Sequence, residues 1–155
     1  MFSFSRTTNF ALVREILTNE HVYRWIVDDF GPPPAQYQPP EHDAIWYVLG
    51  QDGDHLLGLW MFVPQNAVCW EFHIALLPHH GYQRAREATI ALFEWIWEET
   101  MCVRIVGSVP KCNPFARKLA HDTGMRFVGV NKRSFQKYGT LHDQILFGIS
   151  RPRQE

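Results

Sequence analysis

Glu71 and His73 stand two residues apart in a run, Val68 to Leu77, that alternates like a strand. Cys69, Glu71, His73 and Ala75 share one face; Trp70, Phe72, Ile74 and Leu76 share the other. A carboxylate beside an imidazole on one face can accept and pass protons, so Glu71 is a candidate general base. The alternative is a solvated sheet face. Pro78 removes a backbone donor and ends the strand. Gly81 follows, and then a long helical run with Arg84 and Arg86 at its entrance. The first turn of a helix has unpaired N–H groups and the positive end of the dipole, so this arrangement favours an anion. Gly81 lets the chain turn with N–H groups facing inward. Two arginines at that end oppose the dipole and call for a negative partner. The plainer alternative is that Gly81 joins strand to helix and both arginines are solvated.

Asn113-Pro114 reads as a helix cap followed by proline at the first helical position. Cys112 beside it could be a nucleophile, although a lone cysteine in such a loop is more often inert. Cys69, Cys102 and Cys112 are odd in number and lack a CxxC spacing, which speaks against a disulfide framework or a structural zinc site. His73, His79 and His80 fit no standard ligand spacing, so no metal is expected. Trp46, Tyr47, Trp60 and Trp70 lie in neighbouring strands. Core packing is their default role, and a wall for an apolar or aromatic acceptor is the alternative.

Those residues need elements to hold them. Phe2 and Phe4 alternate with Ser3 and Ser5 as in a short strand. Thr7, Thr8 and Asn9 can cap a helix carrying Leu12, Val13, Ile16 and Leu17, and a second helix places Val22, Trp25 and Ile26 on one face. Gly31 to Pro40 contains five prolines and must be an extended loop, placed where a lid or substrate loop would lie. Ala44 to Leu49 and Leu56 to Val63 flank a turn at Gln51–Asp54, a hairpin signal. Ala88, Ala91, Leu92, Trp95 and Ile96 form the buried stripe of the long helix. Cys102 to Val109 reads as a buried strand. Phe115, Ala116, Leu119 and Ala120 form another helical stripe, closed by Gly124 as a C-cap. Phe127 to Phe135 and Gln144 to Ser150 supply the last strands. Helical crossovers imply parallel pairing and hairpins antiparallel pairing, so the chain is a mixed-sheet α/β domain.

The 155 residues, 46% of them hydrophobic, suffice for one domain spanning 1–155 with its own core. A net charge of −1 argues against extended nucleic-acid binding. Met1 to Arg6 shows no signal-peptide pattern, and no apolar run approaches the ~20 residues of a membrane span. The expectation is a soluble cytoplasmic protein; self-association is left open.

Two segments carry a family resemblance: Ala75 to Ala88, and Val103 to Val109 continued by Asn113 to Gly129. Together they resemble the GCN5-related N-acetyltransferases, especially the small ones encoded by bacteriophages. Asn113, Ala116, Leu119, Gly124 and Gly129 fall at that family's positions. The resemblance implies a mostly antiparallel sheet of six to seven strands with about four helices. It also implies acetyl-CoA as acyl donor and an amine acceptor, small molecule or protein. The coenzyme A pyrophosphate would rest on the backbone of His80 to Arg86, that is on Gly81, Tyr82, Gln83, Arg84, Ala85 and Arg86. Gln83, Arg84 and Arg86 replace small residues of the family loop. Leu76 and Leu77 would meet the pantetheine arm and supply a carbonyl-polarising amide, Asn113 would contact that arm, and Glu71 would be the base. Many relatives carry a tyrosine acid where this chain has Ala120; Ser108, Tyr138 and His142 are the substitutes available. The departures leave a second reading, a non-catalytic assembly protein of the same fold, in phage particle morphogenesis and so in a host cytoplasm or virion.

Overall fold

The computed structural model describes residues 1–154. Strand β1 (Phe2–Thr7) leads to helices α1 (Phe10–Leu17) and α2 (Glu20–Ile26). After the proline-rich loop come β2 (Trp46–Asp52), β3 (His55–Pro64) and β4 (Cys69–Leu76). A short 3-10 turn at Pro78–His80 enters α3 (Gly81–Glu99), followed by β5 (Arg104–Pro110), α4 (Pro114–Asp122), β6 (Arg126–Lys137) and β7 (Thr140–Ser150). The seven strands form one sheet in the order β1-β2-β3-β4-β5-β7-β6. Only β4 and β5 run parallel among the described strand pairs, joined by the α3 crossover. The expected mixed α/β sheet with four helices is the architecture observed.

Local chemistry accounts for the boundaries. Asn9 caps α1 by accepting from the Leu12 N–H at 3.2 Å. Asn113 caps α4 by accepting from the Ala116 N–H at 3.1 Å, with Pro114 in the first turn where its missing donor costs nothing. Gly124, at φ +90°, ends α4. The β2–β3 hairpin turns at Gly53 (φ +58°) and Asp54. Strand β2 begins at Trp46, not Ala44, because the Ala44 and Ile45 N–H groups both bond to His42. Strand β5 begins at Arg104, after Cys102, whose thiol burial pushes up to about 11 and so keeps inert.

Helices cover both faces of the sheet. On one face Leu92, Phe93, Ile96 and Trp97 of α3 pack with Trp60, Phe62, Phe72 and Ile105. On the other, Val13, Ile16 and Leu17 of α1 and Val22 of α2 pack on Tyr47, Leu59 and Ala75. Each Val, Leu, Ile or Phe among them, fully buried, contributes roughly 1.5–3 kcal/mol relative to exposure. Trp60 is 0% exposed and Tyr47 and Trp70 are buried, so three of the four strand aromatics belong to the core. The α3 stripe is shifted from the expected one: Ala85, Thr89, Phe93 and Trp97 are buried, while Ala91 and Trp95 are half-buried. Trp25 and Phe115, expected on buried faces, are 40% and 49% exposed.

One feature of the sheet prepares a site. Strand β4 pairs with β3 along its length, from Trp70 to Leu76, but with β5 only over Cys69, Trp70 and Glu71. Strand β5 meanwhile stays paired with β7 from Arg104 to Pro110. Beyond Glu71 the two parallel strands therefore diverge. No helix among the described residues is long and apolar enough to cross a membrane.

Candidate functional site

The divergence leaves backbone groups of β4 without a strand partner. The Leu77 N–H donates to the Leu57 carbonyl at 2.9 Å, which makes residues 57 and 77 a hydrogen-bonded antiparallel pair. Hydrogen bonding alternates along such a ladder, so the N–H groups of Ile74 and Leu76 point away from β3 into the gap. Leu76 thus keeps an available amide. The Leu77 amide is already taken, which corrects the expectation that either residue could polarise a carbonyl.

Two cavities open along this gap. The first, about 530 Å³, lies toward Glu71, His73 and Ser108. The second, about 380 Å³, runs past Leu76, Leu77 and Pro78 to Gly81, Tyr82 and Ala85. Trp25, Ile74, Ala75, Asn113 and Ala116 line both, so the two adjoin along a path from the Glu71 end to the α3 N-terminus. Of the residues assigned to a cofactor, Leu76, Leu77, Gly81, Tyr82, Ala85 and Asn113 face this path. Because the Asn113 carbonyl oxygen caps α4, its side-chain NH₂ is the part left for a ligand.

Gln83, Arg84 and Arg86 are turned elsewhere. The Arg84 guanidinium donates Nε–H to Asp52 at 2.6 Å and Nη1–H to Glu87 at 2.8 Å, and lies over the Phe2 ring. Arg86 donates to the Asp122 carbonyl at 3.0 Å, and Gln83 to Glu87 at 3.0 Å. Arg84 thus finds its negative partners within the chain, whereas Arg86 is held by a neutral backbone carbonyl, and none of the three side chains obstructs the turn. Gly81 itself has φ +75° and ψ +163°, a region essentially restricted to glycine, and a Cβ there would meet nothing within 4 Å. The His79 and His80 ring centroids lie 3.7 Å apart with the planes tilted by 49°, and His80 Nε2 bonds to the Leu56 carbonyl at 2.7 Å. No group of three metal-binding side chains exists among the described residues.

At the other end, His73 Nε2 lies 3.0 Å from Glu71 Oε1. That hydrogen bond holds the Glu71 carboxyl below its ordinary range, outweighing the opposing effect of partial burial. Ser108, one of the substitutes for the missing acid, lines the first cavity. Tyr138 is 82% exposed at the β6–β7 turn, and His142 lines neither cavity. Ala120 is buried against the first cavity, so the family tyrosine position carries no hydroxyl here.

The proline-rich loop is tied to α1 and β2 by hydrogen bonds. Arg14 donates to the carbonyls of Tyr37 and Pro34, each at 3.0 Å, and the Tyr47 hydroxyl donates to Pro40 at 2.7 Å. This brings Tyr37 into the first cavity. Sequence reading missed Trp25, Tyr37, Met61, Phe135 and Gln144 as cavity residues. Only the position of Tyr37 within the suspected loop pointed to any of them.

Around the second cavity, Asp122 accepts from Lys118 at 2.6 Å and from the Tyr82 hydroxyl, and Lys118 sits over the Tyr82 ring. These bonds, with that to His121, hold the Asp122 carboxyl far below its usual range; Arg84 and the chain amino group lower Asp52 in the same way. A carboxyl depressed in the folded state stabilises the fold above its unfolded pKa of about 3.9, and that contribution vanishes as pH falls through the lowered value. Melting temperature should therefore drop below about pH 4, and Asp122→Asn should flatten the drop. An identical acid slope in the variant would remove Asp122 from this role.

With that geometry in place, the fold is recognisable as that of the N-acetyltransferases. It matches spermidine N-acetyltransferase from Vibrio cholerae, whose structure holds CoA and spermine, with TM-score 0.75 at 18% identity over 97% of this chain and 95% of that one. It also matches the ribosomal-protein-S5-alanine acetyltransferase from Vibrio fischeri, with TM-score 0.70 at 13% identity over 99% and 95%. No protein-family model matches the sequence, and no curated protein sequence matches it.

Proposed function

We propose that this protein is an acetyl-CoA-dependent N-acetyltransferase acting on a primary amine. The observation that carries the reading is the pair of adjoining cavities between the diverging β4 and β5, with a glycine-turned helix N-terminus at one end and the Glu71–His73 pair at the other. The second cavity suits the donor. Backbone N–H groups at Gly81 to Ala85 would take the diphosphate, and the Asn113 amide the pantetheine arm. The Leu76 N–H would polarise the thioester carbonyl as negative charge develops on its oxygen. That the CoA-bound Vibrio cholerae enzyme shares the fold supports this placement.

The chemistry follows from the groups present. An amine arrives mostly as an ammonium, whose pKa is ~10.4 when lysine-like. Glu71, kept ionised by His73, attracts it and accepts its proton. The neutral nitrogen attacks the thioester carbon; the C–N bond forms and the C–S bond breaks. A thiol of pKa near 8.5 leaves as thiolate without a strong acid and takes up the second proton shed by the attacking nitrogen, while the Glu71 proton passes to solvent, so Ala120 at the tyrosine position is compatible with turnover. The balance is one acetamide, one free thiol and one released proton.

The test is the appearance of free thiol from acetyl-CoA on addition of an amine. Amine-dependent release is expected. Absence of release with every amine tried would favour the non-catalytic assembly reading, for which the Ala120 substitution is the supporting observation.

A further inference from the structure

We infer, on the basis of the acetyltransferase reading, that the acceptor is a small monoamine with an apolar, aromatic-sized body. The first cavity carries the argument. Its walls include Trp25, Ile26, Tyr37, Met61 and Phe135, and its neutral polar side chains are Ser108, Asn113 and Gln144. Glu71 is the one carboxylate among its lining residues, and the other titratable side chains there are His73, bonded to it, and the neutral phenol Tyr37. At about 530 Å³ it falls in the ~300–1,000 Å³ range of small-molecule sites.

Charge count selects the substrate. One carboxylate can compensate one ammonium. A second ammonium held within this cavity would lose part of its hydration with no counter-charge on the lining, which is unfavourable. The lining therefore disfavours polyamines, the acceptor class of the spermine-bound structure of like fold. A peptide acceptor would bring several backbone donors and acceptors, and the few amide and hydroxyl side chains could not satisfy them. An aromatic or aliphatic body instead buries against the walls.

The walls are held in place before any ligand arrives. Arg14 fixes the backbone of Tyr37. The β6–β7 hairpin behind Phe135 is tied to the end of α2, because Asp29 accepts from the Tyr138 and Gly139 N–H groups at 2.7 and 2.8 Å and Lys137 donates to the Val27 carbonyl at 2.7 Å. Such pre-organisation favours a ligand of fixed shape over a flexible one.

The experiment compares kcat/KM for 2-phenylethylamine, spermidine and an uncharged-side-chain hexapeptide with a free N-terminus, each with acetyl-CoA. Phenylethylamine is expected to lead by about a hundredfold over spermidine. Spermidine or peptide turned over as well as phenylethylamine would overturn the assignment. So would failure of all three while acetyl-CoA still raises the melting temperature; loss of that rise as well would instead overturn the acetyltransferase reading. Met61 sits opposite His73 in the β3–β4 register and lines only the first cavity, so Met61→Glu adds a second carboxylate there. It should move the spermidine-to-phenylethylamine ratio upward at least about tenfold. An unchanged ratio, in a variant whose melting is still raised by acetyl-CoA, would also overturn the assignment.

Discussion

Replacing Glu71 with glutamine should lower amine-dependent thiol release by roughly 10²–10⁴-fold, the usual worth of a positioned acid–base group. The substitution keeps the shape and removes the charge. What is lost is the attraction for the ammonium and the site that takes its proton. Two details make the prediction specific. Glu71 lines the first cavity only, so binding of acetyl-CoA in the second should survive, read as an unchanged ligand-induced rise in melting temperature. In addition, the His73 hydrogen bond lowers the Glu71 pKa, so the carboxylate stays ionised from neutrality down past its ordinary range. The defect should therefore be equally large at about pH 5 and about pH 8. A variant with wild-type turnover would remove Glu71 from the chemistry. A defect confined to one side of neutrality would assign the effect to another group.

Replacing Gly81 with valine should act at the opposite end of the path. The added side chain meets no neighbour, so the cost is one of backbone conformation and not of packing. A β-branched residue at φ +75° and ψ +163° is strained by roughly 1–3 kcal/mol. Relief requires the turn to rotate, which redirects the N–H groups at the start of α3. The variant should melt a few degrees lower and lose the rise produced by acetyl-CoA, while the core under α3 stays intact. A full ligand-induced rise in Gly81→Val would show that the turn does not hold the diphosphate.

The parts of this architecture set by local chemistry could be read from the sequence. Asn113-Pro114 caps α4, Gly124 ends it, and Gly53 turns the first hairpin, because each depends on bonds within a few residues. The long α3 helix was equally plain, although its buried stripe was displaced. Helical periodicity marks an apolar face but does not say whether that face meets a core or a channel. Trp25 and Phe115 show the difference: both fit a buried stripe, yet Trp25 lines both cavities and Phe115 packs edge-on against Tyr82 at the rim of one.

Long-range bonds were not legible. Arg84 and Arg86 read as awaiting an anion because their partners, the Asp52 carboxylate and the Asp122 backbone carbonyl, are distant in sequence. Strand β6 extends beyond Phe135 to Lys137 through an irregularity at Arg133 (φ +51°), whose N–H bonds to Asp143 of β7. No pattern in the residues 126–137 announces a strand held by a carboxylate ten residues away. The Glu71–His73 pair lay between these cases. Strand alternation put the two on one face, but only the divergence of β4 from β5 shows that the face opens on a cavity.

That divergence, read as a coenzyme A site, is the central claim. Thermal melting with and without acetyl-CoA tests it most directly. Ligand at a hundred times its dissociation constant stabilises the folded state by about 2.7 kcal/mol, a rise of roughly 5–10 °C for a domain of this size. The account predicts such a rise, shared by free coenzyme A and absent with an equal concentration of inorganic pyrophosphate. No rise with millimolar acetyl-CoA would contradict it.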